Sequence, residues 1–205
     1  MDRKTHWDGI YTQKSFEEVS WYQAVPTTSL QVIADVCLAA EAPIIDIGGG
    51  DAYLAEQLMQ QGHQDVSVLD ISHEVLARAQ KRLGDAAQRI HWLCADITHT
   101  TLPNTYAFWH DRAVFHFLTQ PDEQARYIAL AGQHIQPQGH LLMATFAEDG
   151  PEKCSGIPVQ RYNAESLQAL FAQDFVSVKQ WREVHTTPFQ TQQAFTFVLL
   201  QRKSV

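Results

Sequence analysis

The sequence predicts an α/β chain: a largely parallel sheet covered by helices on both faces, ending in an antiparallel strand pair. Three observations carry this. From Pro43 to Phe146, apolar runs of strand length alternate with segments of helical periodicity, the βαβα order that makes strands parallel. Three consecutive glycines, Gly48 to Gly50, stand where the first of those strands hands over to a helix. The last two apolar runs are joined by "TTPFQTQQ", too short for a crossover helix, so they run antiparallel to each other.

The elements follow in order. Ahead of Pro43, "SFEEVSWYQAVPTTSLQVIADVCLAA" reads as helices and a loop, with Leu30, Ile33, Ala34 and Cys37 at helical spacing. "PIIDIG" is a buried strand, and "AYLAEQLMQQG" is a helix closed by Gly62. "DVSVLDIS" is the second strand, and Ser72 caps the helix "HEVLARAQKRLG". "RIHWLCADI" and "YAFWHDR" are the third and fourth strands. "QPDEQARYIALAGQHI" is a helix ended by a Pro137–Gly139 turn, after which "HLLMATF" is the fifth strand. A Gly- and Pro-containing loop from Glu148 to Asn163 is the longest irregular piece, of a length often used for lids. The helix "AESLQALFA" leads into the tail strands "FVSVKQWREVH" and "AFTFVLLQRK". The expected organisation is one domain over residues 1–205, with cap helices in 1–42 and the core in 43–205.

Composition narrows the partners. The 205 residues are 45% hydrophobic and 19% charged, which is the balance of a folding chain. The net charge is −8 and no basic run occurs, so a phosphate-backbone binder is not expected. No apolar run approaches a membrane span, and "MDRKTHWDGIY" lacks the apolar core of a signal peptide. Cys37, Cys94 and Cys154 form no CxxC pair, which points to a reducing cytoplasm. Oligomeric state stays open.

The glycines are the first chemical clue. They let the chain turn tightly after Ile47 and let a ligand rest on bare backbone, while the next helix opens toward that ligand with free N–H groups. Asp70 ends the second strand, 20 residues after Gly50, where an acid accepts hydrogen bonds from both ribose hydroxyls of an adenosine. Asp96, ending the third strand, is placed to accept from an adenine amino group. Asp46 lies inside the first strand, where a buried carboxylate needs a partner: loop N–H groups or a ligand cation. Three strands ending in acids at one sheet edge are hard to explain by packing, although Asp46 and Asp96 could also merely cap nearby turns.

The order "DIGGG…LDIS…CADI…HDRAVFHFL…PQGHLLMATF" resembles the class I S-adenosylmethionine (SAM) dependent methyltransferases, from about Pro43 to the end. The resemblance implies a Rossmann-like fold with a seven-stranded, mostly parallel sheet and an antiparallel C-terminal hairpin. It implies SAM as cofactor and S-adenosylhomocysteine as product. Asp46, Gly48, Gly49 and Gly50 fall on the first motif, with Ala52 where a third glycine often stands. Asp70 falls on the ribose-binding acid beside Ile71, and Asp96 on the adenine-contacting acid, with Ile97 packing on the base. Dehydrogenases that use NAD share the early glycines but usually lack the third acid and this tail. The "WD…Y…WY" lead-in is similar to that of several methyltransferase groups, some of which methylate protein lysines. In that reading Trp21 and Tyr22 fold over the methionine end, where aromatic faces attract a sulfonium by about 0.5–2 kcal/mol; otherwise they are core residues of a docking helix.

Methyl transfer from a sulfonium is an in-line displacement with a good leaving group. Holding the acceptor in line is most of the task, and orientation alone supplies effective molarities of roughly 10⁵–10⁸ M. A base is needed only for an acceptor that must first lose a proton. The candidates follow the fourth strand. Asp111 would hold the cofactor's ammonium or orient an acceptor, and Arg112 would contact substrate. His116 is either a base or a core histidine beside Phe115 and Phe117. His110, Asp111 and His116 do not have metal-ligand spacing, so no metal is expected. In the loop, Cys154 is either a bland thiol or a contact for a soft acceptor, and Arg161 either clamps an anionic substrate or pairs with a surface acid. "HDRAVFHF" departs from the turn usual in lysine-methylating relatives. The expected acceptor is therefore a small molecule, with a protein side chain or a non-catalytic SAM sensor as alternatives.

Overall fold

The computed structural model describes residues 2–204. Its N-terminal part holds α1 (Arg3–Gln13), a 3₁₀ turn at Phe16–Glu18 and α2 (Thr27–Asp35). Next come β1 (Ile44–Ile47), α3 (Tyr53–Gln60), β2 (Val66–Asp70), α4 (His73–Leu83) and β3 (Ile90–Cys94). They are followed by β4 (Tyr106–Arg112), α5 (Pro121–His134) and β5 (Ile135–Phe146). A small hairpin, β6 (Lys153–Cys154) and β7 (Ile157–Pro158), precedes α6 (Ala164–Phe171), β8 (Phe175–Thr186) and β9 (Gln192–Arg202).

Seven strands form one sheet in the order β3-β2-β1-β4-β5-β9-β8, and β6 and β7 pair separately. β1 to β5 are parallel; β9 runs antiparallel to both β5 and β8, as the short tail link requires. All four residues of β1 are buried, because the sheet is covered on both faces. Ile44 packs with Leu30 and Ile33 of α2 and Leu58 of α3, whereas Ile45 and Ile47 pack with Tyr127 of α5 and Phe171 of α6. The chain moves outward from β1 to β2 and β3, then crosses back to β4. A crevice therefore opens at the carboxyl ends of β1 and β4, the switch point at which such sheets bind ligands.

Two local expectations change, and one N-terminal helix gains its bounds. The Pro137–Gly139 segment does not separate helix from strand. β5 already begins at Ile135, paired with Tyr106, and the irregularity is absorbed by a register shift between Tyr106 and Phe108 with Gln138 at φ 64°. The loop after β5 is not wholly irregular, because it folds into the β6–β7 hairpin through a Ser155–Gly156 turn and buries Cys154. Finally, "RKTHWDGIYTQ" forms a helix although it has no apolar stripe. Asp2 caps it by accepting from the Thr5 N–H, and its Trp7 and Tyr11 are buried against the core.

Candidate functional site

The cleft lies along the carboxyl edge of the sheet, from β3 across to β9. The glycine turn sets its floor. Gly48 has φ 66°, and a Cβ there would come within 2.1 Å of Val114 Cγ2. Gly50 has φ 53°, and Ala52 reaches the left-handed region just before α3. The Gly48 and Gly49 N–H groups both donate to the Leu69 carbonyl, at 2.7 and 3.2 Å, holding the turn against β2. Gly49 looks inward, since a Cβ there would meet Val68 and Asp46.

The three acids differ in their partners. Asp70 is buried at 4% exposure; its Oδ2 accepts from Gly50 N–H at 3.1 Å and its Oδ1 from Ser72 N–H at 2.9 Å. Each oxygen keeps acceptor capacity. Burial raises its pKa to about 7 against the pull of those two bonds. Asp96 Oδ1 accepts from Thr98 N–H at 2.8 Å and from Thr98 Oγ1 at 2.7 Å, and its Oδ2 lies 3.5 Å from Arg3 Nη1. Burial opposes ionisation of Asp96, but the Thr98 hydrogen bonds and the Arg3 charge hold it below the usual carboxylate range. Asp46 meets neither loop N–H groups nor the cleft. Its Oδ1 bonds His110 Nδ1 at 2.6 Å, and His110 Nε2 bonds Ser29 Oγ at 2.8 Å. The reason is register: Asp46 and His110 are direct partners in the β1–β4 pairing.

A cover closes over these strand ends. Trp7 and Tyr11 of α1 and Trp21 from the following segment line the cleft, with Trp7 edge-on to both Trp21 and Phe117. Polar contacts seat α1: Arg3 with Asp96 and Glu123, Asp8 accepting from Ser72 Oγ, and Arg78 donating to the Tyr11 and Lys14 carbonyls. Arg78 is itself oriented by a two-pronged bond to Asp51.

Of the residues singled out in the sequence, Trp21, Gly48, Asp70, Ile71, Asp96, Ile97, Arg112 and Cys154 share this cleft. Gly49 and Gly50 belong to the turn beneath it, and the remaining ones lie elsewhere. Tyr22 packs edge-on to Phe16. Asp111 is fully buried and turned toward α5, accepting from Val114 N–H, Phe115 N–H and Tyr127 Oη; burial raises its pKa to about 6. His116 is fully buried with Nδ1 accepting from Phe146 N–H, and burial together with the Arg112 charge pushes it down to about 3. Arg161 donates to the Gly150 carbonyl and lies near Glu152, away from the cleft lining. Trp7 and Tyr11 of the "WD…Y…WY" lead-in line the cleft too, as do Arg3, Gln193 and Phe195, which had not stood out in the sequence. Among the described residues, no cluster of His, Cys, Asp and Glu is arranged to hold a metal ion.

The cleft fits an adenosine with a charged, flexible arm. Asp70 keeps free acceptor positions on both oxygens, Asp96 and Ile97 line the cleft one strand further out, and Gly48 leaves its part of the floor without a side chain. The seven-stranded sheet with its antiparallel tail pair is the class I methyltransferase fold. Residues 44–139 match the family described as a methyltransferase domain.

Solved structures agree on the fold. One is a SAM-dependent methyltransferase from Anabaena variabilis, 15% identical, with a TM-score of 0.77 over 99% of this chain and 96% of that one. Another is the 1,6-didemethyltoxoflavin-N1-methyltransferase of Burkholderia thailandensis with bound S-adenosylhomocysteine. It is 19% identical, with a TM-score of 0.70 over 98% of this chain and 84% of that one. In sequence, the chain is similar to the mouse eEF1A lysine and N-terminal methyltransferase, 23% identical over 150 residues. That stretch is 70% of this chain and 21% of the mouse protein, so the chain spans about a fifth of the length of the curated relatives it matches. Among the described residues, no helix is long and apolar enough to cross a membrane.

Proposed function

We propose that the chain methylates a small molecule held inside the cleft. One observation carries the reading: the end of the cleft beyond Gly48 is walled by Trp21, Phe117, Phe146 and Phe195 from four separate parts of the chain. Such a chamber suits a compact acceptor, whereas a basic protein tail would be served by an open acidic groove. When bound, SAM supplies a methyl group on a positively charged sulfur, transferred in line to the acceptor's lone pair while the bonding electrons stay on sulfur. Asp70, Ile71, Asp96 and Ile97 would hold the nucleoside, Gly48 the arm, and Trp21 an aromatic edge for the charged centre. The aromatic walls exclude water and fix the acceptor's orientation, which suffices for a soft acceptor.

His116 is read here as a neutral hydrogen-bond donor rather than a base. With Nδ1 accepting, its proton belongs on Nε2. Asp111 is read as a positioning residue, tying the end of β4 to Val114, Phe115 and Tyr127. Residues 1–42 act as the cap of the core. A protein acceptor is the second reading, favoured by the sequence likeness to the mouse enzyme.

The test is transfer of labelled methyl from SAM in an extract of the source organism, followed by separation by mass. Label in the small-molecule fraction, lost with Asp70→Ala, is the expected result. Label on a macromolecule would replace this reading with the protein-directed one, and SAM binding without transfer in any fraction would favour a sensor.

A further inference from the structure

The far end of the cleft contains a cation with no counter-charge. Neighbouring strands lie about 4.8 Å apart, so the four steps from β2 through β1, β4 and β5 to β9 span roughly 19 Å. An adenosine over β2 and β3, with its arm on the β1 glycine turn, reaches the edge of β4. What lies over β5 and β9 is left to the acceptor. Arg112, the last residue of β4, leans that way: its guanidinium carbon sits 4.8 Å from the ring centre of Phe195 on β9.

Its surroundings are neutral. Nη1 donates to the Trp21 carbonyl at 3.1 Å, and among the described residues no carboxylate pairs with it. Glu183, the nearest acid in influence, is engaged by Thr28 Oγ1 at 2.6 Å. Cys154 is a buried thiol raised by burial to about 11, so it supplies no charge. His116 and His185 are both pushed down, by burial and by Arg112 itself, and stay neutral. Burial brings Arg112 down only to about 10, so it remains a cation at neutral pH. One more polar atom waits there: Gln193 lines the cleft at 8% exposure with Oε1 unpartnered, while His116 Nε2, also unpartnered, is fully buried beside the lining residues Phe117 and Phe146. A guanidinium has five N–H donors in a planar fork that matches a carboxylate, and Arg112, half-buried in the cleft wall, has donors free to meet one.

From this geometry we infer that the acceptor is a small carboxylic acid with a flat apolar body. Its carboxylate seats on Arg112, and its body lies against Phe195, Phe146 and Trp21. Gln193 Oε1 takes an O–H or N–H of the same molecule. This rests on the small-molecule reading above and assigns the anion site to Arg112 rather than Arg161.

The test uses the full chain loaded with S-adenosylhomocysteine and measures binding of benzoate, cinnamate and their neutral amides by calorimetry. At least one carboxylate is expected to bind tenfold or more tighter than its amide. Arg112→Met should remove that preference while changing S-adenosylhomocysteine affinity less than threefold, which also shows that the variant is folded. Arg112→Lys should keep part of the preference. Equal binding of acid and amide, or no binding of either acid at 10 mM (a concentration of order the weakest useful affinities), overturns the proposal. So does a tenfold loss of S-adenosylhomocysteine affinity in Arg112→Met, which would assign the guanidinium to the cofactor's own carboxylate. The labelled product separates the two levels. A methylated small molecule that is not anionic sinks this inference alone, whereas label on a protein sinks the reading beneath it.

Discussion

The two ends of the cleft are built on opposite terms. At β2 and β3, carboxylates are held by nearby backbone: Asp70 by Gly50 and Ser72, Asp96 by Thr98. At β4, β5 and β9, a cation stands among aromatic rings with unmatched polar atoms around it. The first end is made by residues close in sequence and complete except for two acceptor positions. The second is assembled from the N-terminal segment, the end of β4, the β6–β7 hairpin and a tail strand. One arrangement serves a ligand of fixed chemistry; the other can change with any of four segments without disturbing the first.

Removing the anchor of the cofactor end should break this contrast most. Asp70→Ala deletes two charge-assisted hydrogen bonds to the ribose, each worth about 1.5–3 kcal/mol, so SAM affinity should fall about 100-fold or more by calorimetry. Unchanged affinity would remove Asp70 from the cofactor site. Next is the bare turn. Gly48→Ala places a side chain at φ 66° and against Val114, costing roughly 2 kcal/mol or more and lowering the unfolding midpoint by about 4–8 °C. Gly62, also at positive φ but with nothing near a would-be Cβ, is the control that bears the strain without the clash.

Third comes pH. On the proposed reading ribose hydroxyls bind the ionised Asp70, whose pKa burial raises to about 7. SAM affinity should therefore fall about tenfold from pH 8 to pH 6, and Asp70→Asn should flatten that slope. In the ligand-free chain the sign is reversed. A raised carboxylate favours the fold fully at acidic pH below its unfolded value, and that contribution is lost as pH rises through about 7. The stabilisation by SAM, read as a shift in unfolding midpoint, should consequently be larger at pH 8 than at pH 6. Smallest is Arg3→Met, which frees Asp96 from a partly exposed pair worth about 0–1 kcal/mol. SAM affinity should change by no more than about fivefold, with the difference shrinking in high salt. A larger change would mean that α1 does more for the cofactor end than cover it.

The same contrast decides what the sequence reveals. Strand alternation, the glycine turn and the acids at Asp70 and Asp96 follow local rules, so the sheet and the nucleoside end are legible. α1 is not, because its hold on the core comes from Arg3, Asp8 and carbonyls bonded by Arg78, 64 and 67 residues away. Asp46 could be read as buried and in need of a partner, yet His110 became that partner only through strand register. In the sequence Arg161 is the candidate anion clamp and Arg112 only a substrate contact. The fold separates them, sending one to Gly150 and the other to Phe195. Gln193 gives no local signal at all, since it enters the cleft only because β9 lies next to β5.

The hydrogen-bonded chain Asp46–His110–Ser29 has a consequence of its own. With bonds of 2.6 and 2.8 Å, it has the connectivity of a hydrolase's acid–imidazole–hydroxyl triad. Yet Ser29 is 1% exposed, and none of the three lines the cleft. What a nucleophile needs and this hydroxyl lacks is a way in, so the chain acts as a rivet pinning α2 to the middle of the sheet. A search for hydrolytic triads by distance alone would return this molecule as a false positive, and accessibility is the criterion that would reject it.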